Sequence, residues 1–352
     1  MRILIDIGHP GHVHLFRPFA KEMQKKGHSV LFTCRQKEFE IELLEAANLD
    51  YISFGNHYKT KYGKIWGLIK FDLMMLKTSL KFKPDLILSH GSFYAAHTAF
   101  LLGKPHISME DSGNMEQIRL YLPFTKAVLT PFELPEDLGS KQIRYHAYHE
   151  LAYLNPTYFT PNKEVLKSME VSENEKYAIL RFVSWNATHD VGQGGFTNEQ
   201  KIELVDYLSS EMKLFISAEG DVPDSFKKYL IKIKPEQIHH VLAFAEIVVG
   251  EGATMVSEAG VLGTPSIYVN SLERCYNKDQ EQYNTVFNFR NGNGVLDKVK
   301  QVLSTSLKYQ ENQKRILEDK IDLTAFLIWF VSEWPDSNSI MKSNPDYQYN
   351  FK

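Results

Sequence analysis

Cysteine is almost missing from this chain. Cys34 and Cys275 are the two in 352 residues, too few for a disulfide framework or a cysteine zinc cluster, and that scarcity fits a reducing cytoplasm. Charge of either sign is not in excess: 40 Lys and Arg against 43 Asp and Glu give −3, which excludes a globally basic nucleic-acid binder. No apolar run approaches about 18 residues, so no spanning helix is expected. The N-terminus lacks the basic n-region and cleavage site of a signal peptide; MRILIDIG reads as a buried strand. A G-x-G-x-x-G fingerprint and a G-x-x-x-x-G-K-[ST] loop are both absent, which disfavours dinucleotide and P-loop chemistry. The remainder is ordinary globular composition, 43% hydrophobic and 24% charged, at a length that gives a prior of two domains.

The pattern of elements is alternating. Ile3, Leu4, Ile5 and Ile7 make a strand that stops at Gly8-His9-Pro10-Gly11. Val13, Phe16, Phe19 and Met23 follow at helical spacing, closed by Lys25-Lys26-Gly27, the usual basic and glycine stop signals. A strand over 29–33 completes a βαβ opening, which implies a parallel sheet with a right-handed crossover. The series continues with a helix over 39–47 and strands over 51–54, 85–89, 106–109 and 127–130. Residues 155–161 are rich in Pro, Asn and Thr and read as a linker. A second series follows, with strands at 177–182, 213–217, 247–250 and 266–269 and helices at 198–211, 238–243 and 255–262. A long polar helical stretch is expected near 297–333, and 335–352 reads as a polar tail or docking strap. The fold class is therefore α/β: two doubly wound Rossmann-like domains facing a cleft, 1–155 and 162–320, with a C-terminal helix and tail at 321–352 crossing back to the first. In open parallel sheets ligands sit outside the carboxyl ends of the strands, so the loops there are the places for chemistry.

Three loops stand out. The first, Gly8 to His14, holds three histidines and opens a helix whose N-terminus favours an anion. His12 suits a general base or substrate contact, with His9, Gly11 and His14 as further sugar or acceptor contacts; capping, packing and metal ligation are the plainer alternatives. No further Cys, His or Asp cluster shows ligand spacing, so no metal is expected. The second loop is Gly250-Glu251-Gly252-Ala253-Thr254-Met255. The unpaired amides at the start of the following helix suit a diphosphate, and Glu258, one turn beyond Thr254, can accept hydrogen bonds from two vicinal hydroxyls. A tight turn with a solvated glutamate is the alternative. The third loop follows 177–182: Arg181, Ser184 and Asn186 offer phosphate donors, His189 with Asp190 is a weaker acid–base pair, and Glu219 ends the neighbouring strand. Arg181 serves equally as a structural ion-pair partner. In the first domain Ser89-His90-Gly91-Ser92 and Glu110-Asp111-Ser112 also end strands. Glu110 and Asp111 are placed to orient a histidine or contact a sugar, with a helix N-cap role for Asp111 or Ser112 as the alternative. Lys59 to Lys83 contains seven lysines and one acid among apolar residues. That mixture suits either peripheral contact with an anionic membrane or a core helix whose lysines snorkel into water.

Gly11-His12-Val13 after the first strand, with the Gly-Ala-Thr-Met-x-Ser-Glu turn of the second half, resembles the GT-B glycosyltransferase superfamily. MRILIDIGHPGHVH, KQIRYHAYHELAYLNP, RFVSWNATHD and GEGATMVSEAGVLGTP resemble one family within it, domain-of-unknown-function family 354, over roughly residues 1–300. By similarity to the N-acetylglucosaminyltransferases of peptidoglycan synthesis, the resemblance places His12 at the proposed base and Glu258 on the ribose of a UDP-linked donor; Asp111, from its place after a strand, is the further catalytic candidate. It puts the backbone at Ile238 against the base and the diphosphate at Gly252, Ala253, Thr254 and Met255. Pro10 stands where those enzymes carry part of a longer glycine run. The non-hydrolysing UDP-N-acetylglucosamine 2-epimerases share the fold, but their Asp-Ser-Gly-Gly motif is replaced here by Gly-Glu-Gly-Ala-Thr. The expectation is a metal-independent cytoplasmic transferase, without a cofactor, moving a sugar from a nucleotide-sugar to a glycan or lipid-linked acceptor in surface polysaccharide synthesis, with no nucleic-acid partner, either free in the cytoplasm or resting on the inner face of the membrane through Lys59–Lys83. A sugar-nucleotide epimerase using His189, Asp190 and Glu110, or a non-catalytic nucleotide-sugar-binding protein, are the competing expectations.

Overall fold

The computed structural model describes residues 1–56, 58, 61–172, 174–183, 194–305 and 309–352. They form two compact units, Met1–Tyr158 with Lys320–Lys352, and Phe159–Asp319.

In the first unit seven described strands make one sheet: β1 (Arg2–Ile7), β2 (Ser29–Gln36), β3 (Tyr51–Asn56), β4 (Leu86–His90), β5 (His106–Met109), β6 (Ala127–Pro131) and β7 (Gln142–Tyr145). They lie in the order β3-β2-β1-β4-β5-β6-β7, and each pair is parallel. Ile3, Leu4, Ile5 and Ile7 are wholly buried, interrupted by one buried carboxylate, Asp6; a strand with helices on both faces is apolar nearly throughout. Strand order reverses between β1 and β4, so the loops after these strands part and leave a crevice. The helix Pro10–Lys25 starts in that crevice, with Pro10 at its first turn, where the missing N–H costs nothing.

The second unit has five described strands, β8 (Tyr177–Phe182), β9 (Lys213–Ala218), β10 (Ile247–Gly250), β11 (Ser266–Val269) and β12 (Val286–Phe289). Their order is β12-β11-β10-β8-β9, again all parallel. The reversal here lies between β8 and β10. Gly250 makes that pairing possible: a Cβ on it would stand 2.6 Å from the Arg181 Cβ.

The C-terminal segment differs from expectation. The stretch near 297–333 is broken into the helices Val295–Ser304, Tyr309–Asp319 and Leu323–Ser332. The third is apolar, not polar: Leu323, Phe326, Leu327, Phe330 and Val331 are buried in the first unit. The last residues are folded too, as the helix Asp336–Ser343 and a 3-10 turn Pro345–Phe351. Polar anchors hold this segment. Lys320 Nζ donates to Glu133 Oε1 at 2.6 Å, Thr324 donates to the Ala152 carbonyl at 2.8 Å, and Gln348 Oε1 accepts from the His146 amide at 2.7 Å. Among the described residues no helix is long and apolar enough to cross a membrane.

The helix Lys61–Phe82 presents two faces. Phe71 and Met75 are buried against Ala95 and Ala99. Trp66, Ile69, Leu73 and Leu80, spaced along another face, are 51–62% exposed, with exposed Lys77 and Lys81 beside them. Lys59 lies outside the described residues.

Candidate functional site

A buried carboxylate sets the geometry of the first unit's crevice. Asp6 on β1 accepts two hydrogen bonds from Arg35 Nη1, at 2.7 and 2.8 Å, one from Thr33 at 2.7 Å, and one from Ser92. Arg35 Nη2 also donates to the Ile7 carbonyl at 2.9 Å. The ends of β1 and β2 and the turn after β4 are thereby fixed relative to one another, as a site built on loops requires.

On this base the histidine loop is ordered. His9 caps the helix: its Nδ1 accepts from the Gly11 amide at 3.1 Å. His12 Nδ1 accepts from the Gly8 amide at 3.3 Å, so the neutral ring carries its proton on Nε2 in this arrangement. Burial holds the His12 imidazole well below the usual histidine range, reinforced by the neighbouring histidines His90 and His9; it is a neutral ring at pH 7. His14 is turned the other way. It is buried and stacked on Tyr153 at 5.5 Å, so it packs the helix and is not presented with His9 and His12.

The acids after β5 divide their work. Glu110, 1% exposed, is occupied by its own loop: Oε1 accepts from the Ser112 amide at 2.8 Å and its hydroxyl at 2.6 Å, and Oε2 from Tyr121 at 2.8 Å. These bonds hold the loop, and the Glu110 charge acts on the neighbouring His90. Asp111 orients histidines, but not His12. Its Oδ1 lies 3.1 Å from His90 Nε2 and its Oδ2 lies 2.9 Å from His149 Nδ1. Burial opposes the charge on Asp111, yet the charge of and hydrogen bonds from His149 and His90 win and hold its carboxyl well below the usual range. Burial likewise opposes the His90 charge, and Asp111 and Glu110 outweigh it and raise that imidazole. His90 stacks on His12, centroids 4.3 Å apart, and meets His149 edge-on at 5.2 Å. Asp111 thus reaches His12 through His90. His90 was visible as a strand-end residue. His149 had no comparable signal, since it follows β7, which the sequence pattern did not reveal.

In the second unit the ends of β8, β9 and β10 converge. Arg181 Nη1 donates to Ser217 at 2.9 Å, and Nη2 pairs with Glu219. The guanidinium keeps donors beyond these two, and its Nε would lie 3.6 Å from a Cβ at Gly252. Gly252 is the N-cap of the helix Ala253–Val261 and provides no side-chain cap. Ala253, Thr254 and Met255 form the first turn, the place of orphan amides and positive dipole. Glu258 is 5% exposed, and its Oε1 lies 2.9 Å from His239 Nε2. His239 follows Ile238 in the helix Ile238–Leu242, so the glutamate and the Ile238 segment are held as one piece. Glu251, which attracted no role from sequence, is buried and accepts from the amides of Phe196 at 3.0 Å and Val183 at 3.2 Å. Ser184, Asn186, His189 and Asp190 lie outside the described residues.

Comparison with known proteins places this geometry. A UDP-N-acetylglucosamine–N-acetylmuramyl-(pentapeptide) pyrophosphoryl-undecaprenol N-acetylglucosamine transferase of Blochmanniella floridana is 23% identical over 323 residues, 84% of this chain and 83% of that one. The crystal structure of UDP-GlcNAc 2-epimerase from Neisseria meningitidis bound to UDP-GlcNAc superposes with a TM-score of 0.65 at 14% identity, covering 94% of this chain and 98% of that one. The Streptomyces sp. SF2575 glycosyltransferase SsfS6 superposes with a TM-score of 0.56 at 15% identity, covering 95% and 100%. The fold is therefore the one shared by GT-B glycosyltransferases and UDP-GlcNAc 2-epimerases. The model of one family, described as proteins of unknown function and designated DUF354, matches residues 1–334, and the chain belongs to that family.

Proposed function

We propose that this protein is a glycosyltransferase that takes a sugar from a UDP-linked donor. One observation carries the reading: in the second unit an uncapped helix N-terminus at Ala253–Met255, Arg181, and a glutamate tied to the Ile238 segment occupy the carboxyl ends of one sheet. These are the parts a nucleoside diphosphate needs. The amides and Arg181 meet the diphosphate, with Ser184 as a further donor. Glu258 takes the ribose hydroxyls and the backbone at Ile238 the base. Because the dipole and the guanidinium supply positive charge, the departing diphosphate does not depend on a metal in this scheme. Glu219 shares Arg181 with the phosphate and sets its position.

The first unit takes the acceptor. His12 serves as the proton acceptor, with His9 and Gly11 shaping the loop and Asp111 acting through His90. A base acting through Nε2 uses the tautomer in which the weak 3.3 Å contact from Gly8 is given up. Such catalysis supplies about 10²–10⁴-fold; stabilisation of the leaving diphosphate supplies the larger share. A lipid-linked acceptor fits the exposed Trp66, Ile69, Leu73 and Leu80 face with its lysines, which would rest on an anionic membrane.

The competing reading is an epimerase, favoured by the likeness to UDP-GlcNAc 2-epimerases. One experiment separates them. The protein is incubated with UDP-GlcNAc alone and then with membrane lipid extract, and products are followed by NMR. Release of UDP coupled to sugar on an acceptor supports transfer. A 2-epimer formed without acceptor refutes it. Absence of UDP binding by calorimetry refutes both.

A further inference from the structure

We propose that His90, Asp111 and His149 form a binding site for a divalent first-row transition-metal ion in the first unit. The three residues come from different parts of the chain: His90 ends β4, Asp111 follows β5, and His149 follows β7. One donor atom from each lies within 4.8 Å of the others, a grouping found among the described residues. The two closest pairs are 2.9 Å, His149 Nδ1 to Asp111 Oδ2, and 3.1 Å, His90 Nε2 to Asp111 Oδ1. Metal bonds of about 2.0–2.1 Å place neighbouring donor atoms about 2.9–3.4 Å apart, depending on coordination angle. The carboxylate–imidazole separations already fall at the lower end of that range, so seating an ion takes only a small opening of the cluster.

The chemistry of the donors narrows the ion. Two imidazoles and one carboxylate form the donor set of zinc sites that keep an open position, and of two-histidine, one-carboxylate iron(II) sites. An all-oxygen set would suit magnesium or calcium; this one does not. A second observation points the same way. His149 is 7% exposed, and its Nε2 has no hydrogen-bond partner among the described residues. Buried polar atoms in native proteins are nearly always partnered. Nδ1 is the nitrogen at Asp111 and Nε2 the one away from it, so a ring that gives Nδ1 to an ion keeps Nε2 for an outer hydrogen-bond partner. His90 is held in place by its stack on His12, so that donor is pre-positioned.

The test uses the full-length, tag-free protein, stripped with chelator and loaded with Co(II) or Zn(II), with no nucleotide or sugar present. Its failure is therefore distinct from failure of the transferase reading. About one equivalent of metal should survive desalting, and Co(II) should give the ligand-field absorption of a nitrogen and oxygen site. Asp111→Asn and His149→Gln should each weaken the metal more than tenfold, while His28→Ala, whose ring meets the Met1 amine at the amino-terminal end of β1, should leave it unchanged. X-ray absorption at the zinc edge of the unmutated protein should report two imidazole ligands, which keeps the test valid if a variant fails to fold. Sub-stoichiometric metal, a spectrum of water ligands only, or equal retention by Asp111→Asn would overturn the proposal.

Discussion

His106 gives the sharpest prediction, because its environment fixes both the sign and the size of a pH effect. The residue is fully buried at the start of β5. Its Nδ1 lies 2.8 Å from Thr125 Oγ1, and the Thr125 hydroxyl donates to the Tyr121 carbonyl at 2.8 Å. Thr125 must therefore accept from the ring, which puts the proton on Nδ1. Nε2 is left to accept from the Ser89 hydroxyl at 2.9 Å. Nothing here welcomes a second proton, and burial pushes the imidazole down to about 3. In the unfolded chain a histidine titrates near 6.5. Between these values the unfolded state binds a proton that the folded state refuses, so stability rises with pH and is lost on acidification. The slope is about 1.4 kcal/mol per unit, which gives about 2 kcal/mol between pH 7.5 and pH 5. His106→Gln keeps polar atoms but cannot titrate. Urea unfolding of the first unit, followed by tryptophan fluorescence at both pH values, should show that the variant loses about 2 kcal/mol less on acidification than the parent. An equal loss in both proteins would mean that His106 is not held neutral. Since β5 leads directly into Glu110 and Asp111, the same acidification should loosen the histidine cluster.

Four other substitutions test single residues. His12→Ala should leave UDP affinity within about twofold while lowering transfer by about 10²–10⁴-fold; Glu258→Gln should do the reverse and weaken UDP by about tenfold to a hundredfold, the range of a lost charged hydrogen bond, both read by calorimetry and initial rates. Unchanged UDP affinity in Glu258→Gln would remove the ribose assignment. Gly250→Ala sets a methyl 2.6 Å from the Arg181 Cβ and should destabilise the second unit by about 1–3 kcal/mol, seen as a lowered denaturation midpoint. Leu73→Asp should abolish co-sedimentation with vesicles rich in anionic lipid without changing the circular dichroism spectrum; full retention would detach the exposed helix face from membranes.

The alternation of apolar strands with helical patterns fixed the α/β class, because a strand buried on both faces must read as a continuous apolar run. Ile3–Ile5 and Tyr177–Leu180 are such runs, and β5, β8, β10 and β11 have the residues expected of them. The edge strands β7 and β12 carry little sequence signal: Gln-Ile-Arg-Tyr and Val-Phe-Asn-Phe are four residues long and only partly buried. The apolar helix Leu323–Ser332 follows closely on the polar helix Tyr309–Asp319, so the two read along the chain as one mixed segment. Local sequence also marked the glycine-bounded loops as places for a ligand, since an unpaired helix N-terminus is a property of a few consecutive residues.

What sequence could not decide is which side chains meet. Asp111 next to Glu110 looks like one acidic pair, yet the fold gives Glu110 to Ser112 and Tyr121 and Asp111 to two histidines. His9, His12 and His14 look like one cluster, yet helical geometry turns His14 into the packing against Tyr153. The grouping of His90, Asp111 and His149 has no spacing signature, because parallel strands bring together residues that lie a whole crossover apart in sequence. Residue type and local turn chemistry are written along the chain; the distances that turn a carboxylate and two imidazoles into one site belong to the sheet.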